Sequence, residues 1–163
     1  SSIRDPDPVV FLEPKRVYRA IKEEVPEKSY TIPLGQANIV QEGSDVTLIS
    51  YGAMLRTCRQ VAEKSKHSIE VIDVRTLSPL DTKTIVESAK KTGRVVIVHE
   101  APRSCGFGAE LAATISDRDL LNLKAPVERV TGFDTVMPLP KLENYYIPSA
   151  ERIEAGIEKA MNF

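Results

Sequence analysis

Five stretches of this chain carry side chains suited to chemistry. His99-Glu100 sets an imidazole beside a carboxylate. A general base uses that pairing, and so does a histidine that closes a strand and hydrogen-bonds locally. Cys105 follows in the same loop, but a Cys/His nucleophile needs a geometry that this spacing does not specify. Cys105-Gly106-Phe107-Gly108-Ala109-Glu110 places a glycine-bearing turn ahead of a helical pattern, where backbone N–H groups can hold phosphate. Two glycines fall short of a dinucleotide fingerprint, and Glu110 would repel an anion although it suits the helix dipole. A tight packing turn accounts for the segment equally well. Arg75 stands between Asp73 and Asp81. It suits clamping a carboxylate or phosphate, or pairing with one of the two acids and pinning the loop. Asp5 and Asp7 offer oxygen ligands to a hard cation, or are solvated acids between prolines.

The elements that would position these residues read clearly. Val46–Tyr51, Ile69–Val74, Arg94–His99 and Val127–Val130 are strand patterns, and Ala37–Gln41 adds a candidate edge strand. Between them lie helical patterns. Met54–Ser65 carries Leu55, Cys58, Val61 and Ala62 at helical spacing. Ser78 or Asp81 caps the next helix, with Ile85, Val86 and Ala89 inward and Gly93 at its end. Gly106–Ser116 carries Leu111, Ala112 and Ile115 on one face. Ser149 caps a terminal helix with Ile153, Ile157, Ala160 and Met161 toward the core. Strands that are continuously apolar and alternate with helices predict a three-layer α/β/α sandwich around a five-stranded, mostly parallel sheet with right-handed crossovers. In such sheets ligands bind beyond the carboxyl ends of the strands. Those ends are Tyr51-Gly52-Ala53, Asp73–Thr76, His99–Pro102 and Thr131–Thr135.

The first ~36 residues differ, on proline and glycine punctuation. Asp5-Pro6-Asp7-Pro8 is stiff and extended. Val9–Leu12 is a short strand candidate that needs a neighbour to pair with. Lys15–Lys28 is charged and proline-bounded. The stretch reads as a connecting arm, and a chain opening on Ser1 reads as cut from something longer. Without an upstream neighbour, Val9–Leu12 is expected to be poorly ordered or paired with another copy.

Composition sets bounds. The 163 residues fit one α/β domain with an extension, and 42% hydrophobic residues fill a real core. With 22 basic and 23 acidic side chains there is no basic excess of the kind nucleic acid selects. No apolar run reaches the ~20 residues of a membrane span. Two cysteines, 58 and 105, read as free thiols in a reducing compartment. With two histidines and no Cys-x-x-Cys pair, a zinc site is disfavoured.

Several of these segments carry a family resemblance. Ile3–Lys15 resembles the end of the pyrimidine-binding domain in beta subunits of thiamine-diphosphate-dependent 2-oxo acid dehydrogenases. Ile32–Ala37, Gln41–Leu48 and Tyr51-Gly52 resemble the family's linker and entry strand. Val71–Asp81, His99-Glu100-Ala101-Pro102, Thr131–Thr135, Tyr146-Ile147-Pro148 and Met161-Asn162-Phe163 are similar to further family signatures, in order along the whole chain. Phe11–Arg19 and Glu23–Pro26 look most like the branched-chain enzymes. The resemblance implies a tail and linker over residues 1–36 and a transketolase C-terminal-like domain over residues 37–163. It implies membership of a heterotetramer with an alpha subunit and a second beta subunit. That assembly decarboxylates a 2-oxo acid on thiamine diphosphate with magnesium and acylates lipoamide, in the cytoplasm or, in a eukaryote, the mitochondrial matrix.

The same resemblance places the reactive groups elsewhere: upstream of residue 1, or on the alpha subunit. It assigns no catalytic or cofactor-binding residue here, so the chain alone is expected to be inactive. It implies a partial potassium site, with backbone carbonyls of Ser2 and Asp5 and the side chain of Asp7. It also implies that the Phe163 carboxylate docks the subunit-binding domain of a dihydrolipoyl acyltransferase, an interface in which charge pairs steer association. Lys124 departs from the family there, where glutamate is usual. Two other readings compete: a stand-alone α/β ligand-binding or regulatory module, and the C-terminal domain of a transketolase or deoxyxylulose-phosphate synthase. Binding of thiamine diphosphate by the isolated chain separates them from the first.

Overall fold

The apolar runs become the middle of the molecule. A computed structural model describes residues 1–163. Strands β1 (Asn38–Gln41), β2 (Val46–Ser50), β3 (Ile69–Asp73), β4 (Val95–Pro102) and β5 (Glu128–Gly132) form one sheet in the order β1-β3-β2-β4-β5. β1 runs antiparallel to β3, and all other pairs are parallel. Every residue of β2 is buried, which is what a central strand covered on both faces demands.

Helices α1 (Met54–Lys64) and α5 (Ala150–Met161) cover one face, and α2 (Thr82–Thr92) and α3 (Gly108–Asp119) cover the other. A fifth, short helix, α4 (Glu143–Tyr146), follows β5. Strand alternation splits the core in two. Leu48, Val71, Val96 and Val98 pack with Cys58, Val61, Ile153 and Ile157. Ile49, Ile72, Val95 and Ile97 pack with Ile85, Ala89, Leu111 and Ile115. The expected three-layer α/β/α sandwich with its edge strand is the observed fold.

Helix ends follow local chemistry. Asp81, not Ser78, caps α2: its carboxylate accepts from Thr84 N at 3.1 Å and Thr84 Oγ1 at 2.7 Å. Gly93 ends α2 in the left-handed region at φ 72°. Ser149 caps α5 through Arg152 N. Helix α3 begins at Gly108, two residues later than the glycine pattern predicts, because Gly106 and Phe107 form its entry turn. Lys124 donates to Thr92 O at 3.2 Å and lays its stem over Gly93. Its charge therefore sits at the negative end of α2, a reason for lysine at that position.

One glycine is dictated by topology. β1 and β2 lie on opposite sides of β3, so residues 42–45 must step across two strand spacings, about 9.6 Å. The link does so flush on β3: a Cβ on Gly43 would lie 2.2 Å from both Glu70 N and Ile69 C. Ser44 N and Asp45 N then donate to Ser68 O.

The strand expected at Val9–Leu12 does not form. The segment is unpaired, with Val10, Phe11 and Leu12 more than two-thirds exposed. β-branched Val9 and Val10 supply the propensity, but the segment pairs with neither edge strand, β1 or β5.

Candidate functional site at the carboxyl ends of the strands

β2 and β4 are neighbours whose crossovers leave in opposite directions, α1 toward β3 and α3 toward β5. This is the switch point at which doubly wound sheets open a ligand crevice. Here it is filled. The His99 ring, on β4 level with the end of β2, is fully buried. Tyr51, at the end of β2, stacks on it at 6.0 Å and 17°, and Phe107 meets Tyr51 edge-on. The entry turn of α3 closes the remaining side. A Cβ on Gly108 would lie 2.3 Å from His99 Nε2, and one on Gly106 would lie 2.7 Å from His99 Cε1. The two glycines predicted as a packing turn or a phosphate cradle thus serve packing, against an imidazole.

His99 is no exposed general base. Neither ring nitrogen meets a partner in full hydrogen-bond geometry, and the Ala101 backbone is the one local group near enough to favour a proton on the ring. His99 is also walled off from the exposed Cys105 and pairs with no thiol. Burial pushes its pKa down; the Ala101 backbone opposes that and the Arg129 guanidinium adds to it. The ring is therefore held neutral. Burial and the charge of Glu100 likewise push the Tyr51 phenol up.

The N-terminal arm crosses the same end of the sheet. The Pro14 ring lies 3.7 Å from the position a Gly52 Cβ would take, after β2. Arg16 reaches Asn144 Oδ1 at 3.4 Å and Glu143 at 3.7 Å, on α4. Gly35 N donates to Thr76 Oγ1 at 3.1 Å, and Ala37 N to Asp81 Oδ2 at 3.0 Å, in the loop after β3. What stays open is a cleft of about 360 Å³ beside β4, lined by Arg16, Glu100, Pro102, Met137, Glu143 and Tyr146 among others.

Asp81 therefore has two duties, capping α2 and anchoring the arm. Burial alone would push its carboxyl up, but the hydrogen bonds from Thr84 and Ala37 outweigh that and hold it below the usual range. A depressed carboxyl stabilises the fold at pH above its unfolded value, and that stability fades as pH falls below about 4. Asp81→Ala is expected to cost about 1 kcal/mol at pH 7, the typical worth of a cap. In urea titrations the gap to wild type should narrow below pH 4. An equal gap at pH 3 and 7 would show that the charge does not matter.

Arg75 takes the pinning role. Its Nε lies 3.5 Å from Asp73 Oδ2, and its own backbone N donates to Asp73 Oδ1 at φ 57°. The Asp73 carboxyl is pushed up by burial, against the opposing pull of Arg75. Cys58 is buried behind α1, where desolvation pushes its thiol up to about 12, so it is an inert core residue. Ser2 lies in a 3₁₀ turn, Ser2–Arg4, and Asp5 Oδ1 accepts from Asp7 N at 3.0 Å. Asp7 is exposed, as is Phe163 beyond the end of α5.

A buried polar network was not legible in advance. Glu70, on β3, is fully buried and accepts from Ser88 and Lys91 of α2; Lys91 also meets Glu42 at 2.6 Å. Thr47 Oγ1 joins Ser88 at 2.8 Å and Thr92 at 2.9 Å. The signals were an acid inside the apolar run Ile69-Glu70-Val71-Ile72, and Ser88 and Thr92 four apart on one helix face. The network lies at the amino end of the sheet, away from the crevice. Arg152 is a second omission: it stacks 4.5 Å over Phe133 and donates to the Thr131 and Tyr146 carbonyls, fastening the loop after β5 to α5.

Fold and site together define a doubly wound α/β domain whose ligand crevice is closed by its own residues. Residues 35–153 match the family described as Transketolase, C-terminal domain, and the chain belongs to that family. Along its length it is 50% identical to the mitochondrial 2-oxoisovalerate dehydrogenase subunit beta of Dictyostelium discoideum, covering 99% of this chain and 44% of that protein. It is 48% identical to the pyruvate dehydrogenase E1 component subunit beta of Staphylococcus aureus, covering 98% of this chain and 49% of that one. Among solved structures, a split-gene transketolase described as an inactive beta4 tetramer superposes with a TM-score of 0.72. That match is 28% identical and covers 86% of this chain and 46% of the other. The relatives are beta subunits of 2-oxo acid dehydrogenases, as the motifs suggest, and the chain spans about half the length of the curated relatives it matches.

Proposed function

We propose that this chain is the C-terminal contact domain, with its linker, of the beta subunit of a branched-chain 2-oxo acid dehydrogenase. Residues 1–36 are the tail of the preceding domain and the linker, and residues 37–163 are the transketolase C-terminal-like domain. The observation that carries the reading is the closed switch point: His99, Tyr51 and Phe107 fill it and the arm crosses it. Thiamine diphosphate does not fit there. The cleft beside β4 carries the carboxylates of Glu100 and Glu143 against the single guanidinium of Arg16, which is paired with Glu143, a balance that disfavours a diphosphate. The chain's part is then to supply surface. Val136 and Leu139 on the loop after β5, Tyr145 on α4, and Val10–Leu12 on the arm are largely exposed, and exposed apolar side chains of this kind suit a partner surface. In this reading the partners are an alpha subunit, a second beta subunit and the subunit-binding domain of a dihydrolipoyl acyltransferase, the last docking at Phe163. The intact assembly works on thiamine diphosphate with magnesium. The branched-chain assignment rests on the segments Phe11–Arg19 and Glu23–Pro26.

Potassium is proposed at Ser2, Asp5 and Asp7. The fit is partial: two carbonyls and one carboxylate fall short of a full oxygen shell, so the chain alone holds the ion weakly.

Calorimetry with thiamine diphosphate and magnesium tests the main reading. Residues 1–163 alone are expected to give no binding heat. The alpha subunit together with the complete beta subunit should bind and turn over a branched-chain 2-oxo acid. Saturable binding by residues 1–163 alone would sink it.

A further inference from the structure

The least explained group in the molecule is the His99 imidazole. It is fully enclosed, and both nitrogens lack a partner. A buried polar group without a hydrogen bond is costly, and such sites recur where a structure has to change state. What encloses the ring is a short loop, not a helix body. Arg103–Phe107 leaves β4, turns through Cys105 in the left-handed region at φ 58°, and enters α3 at Gly108. That loop is tied to its neighbours by few bonds. Ser104 N and Oγ reach the Asp134 carboxylate, both at 2.8 Å, and the Arg103 and Arg129 guanidinium groups each donate to the other's carbonyl, at 2.8 and 3.1 Å. Asp134 belongs to the exposed apolar loop after β5.

A proton on His99 meets one neutral acceptor, the Ala101 backbone, and no anion. From β2 it faces the Tyr51 ring, whose hydroxyl is protonated and not an anion. From α3 it faces Gly106 and Gly108 at the positive end of the helix, which disfavours a cation. From β5 the charged neighbour is Arg129, again a cation. On its own strand, Glu100 is the next residue; its charge acts on the Tyr51 phenol and does not figure among the influences on the His99 ring. Glu110, in the first turn of α3, is exposed, with its carboxylate in water. A charged ring gains by reaching solvent, and the glycine turn is the one wall that main-chain rotation moves without dismantling the sheet.

We propose that His99 is an acid-operated latch: once its ring takes up a proton, the Arg103–Phe107 loop and the entry turn of α3 lift off it, loosening the loop that follows β5. The step consumes one proton from solvent and breaks no covalent bond. Opening is favoured by up to about tenfold per pH unit below ~6.5, the value of a solvated imidazole, until the closed form itself titrates.

The test is amide exchange, divided by the intrinsic rate at each pH, read for residues 103–110 against α1 as an internal reference. Between pH 7.5 and 5 the corrected opening of 103–110 is expected to rise at least tenfold while α1 stays flat. In His99→Phe the rise should vanish. Because that variant also alters packing, the ring-carbon signal of His99 in the unaltered protein is followed by NMR as well. It should titrate with the same midpoint as the exchange. A pH-independent 103–110 segment, an acid response that survives in His99→Phe, or a His99 signal with a different midpoint would each overturn the proposal.

Discussion

Gly43→Ala is expected to abolish folding, or to lower stability by more than about 4 kcal/mol, a loss that only a short list of mechanisms produces. The added methyl would sit 2.2 Å from Glu70 N and Ile69 C and 2.6 Å from Ile69 O. These are main-chain atoms of β3, paired on both sides, and they cannot rotate away. Nothing strains the backbone at this glycine; the obstacle is the strand beneath it. Gly52→Ala is the control. It combines an unfavourable φ of 62° with open space, the nearest atom being 3.7 Å off, and should cost about 1–2 kcal/mol, the penalty of a left-handed residue. Chemical denaturation of the two variants measures the difference. If Gly43→Ala proves the milder of the two, the link does not cross β3 as described.

Gly108→Ala should cost about 3 kcal/mol, at the upper end of overpacking, but for a reason that can be repaired. Its methyl would meet the His99 ring at 2.3 Å, with Ile97 Cγ2 next at 3.2 Å. A ring is a side chain, so it can be removed. Gly108→Ala in a His99→Ala background is therefore expected to cost at least about 1.5 kcal/mol less than in wild type, a coupling within the range for residues in contact. No partner substitution should rescue Gly43→Ala. Additive effects at positions 99 and 108 would mean that the imidazole does not lie under the α3 entry turn.

The elements legible in the sequence were those fixed by local pattern. The apolar runs match β2 and β3 to within one residue at each end, and Asp81, Gly93 and Ser149 delimit α2 and α5, because caps and apolar periodicity act over one turn. The failures are residues whose state depends on a distant neighbour. Val9–Leu12 has strand propensity but joins no strand of the sheet. Helix α4 has four residues and no periodicity to detect. Asp81 and Asp73 looked equivalent as partners for Arg75 until the fold turned Asp81 toward Thr84 and Ala37. For His99, the sequence showed an imidazole beside a carboxylate. Its burial comes from two glycines seven and nine positions further on, and no pattern around the histidine itself announces them.

The sheet is also a partition. Because its strands send alternate side chains to opposite sides, the interior is two oily compartments separated by a main-chain wall. Substitutions in one compartment reach the other only through that wall, so losses on the Ile153 side and the Ile97 side should add. Drift in the layer formed by α1 and α5 can then proceed while the chamber around His99 stays as it is.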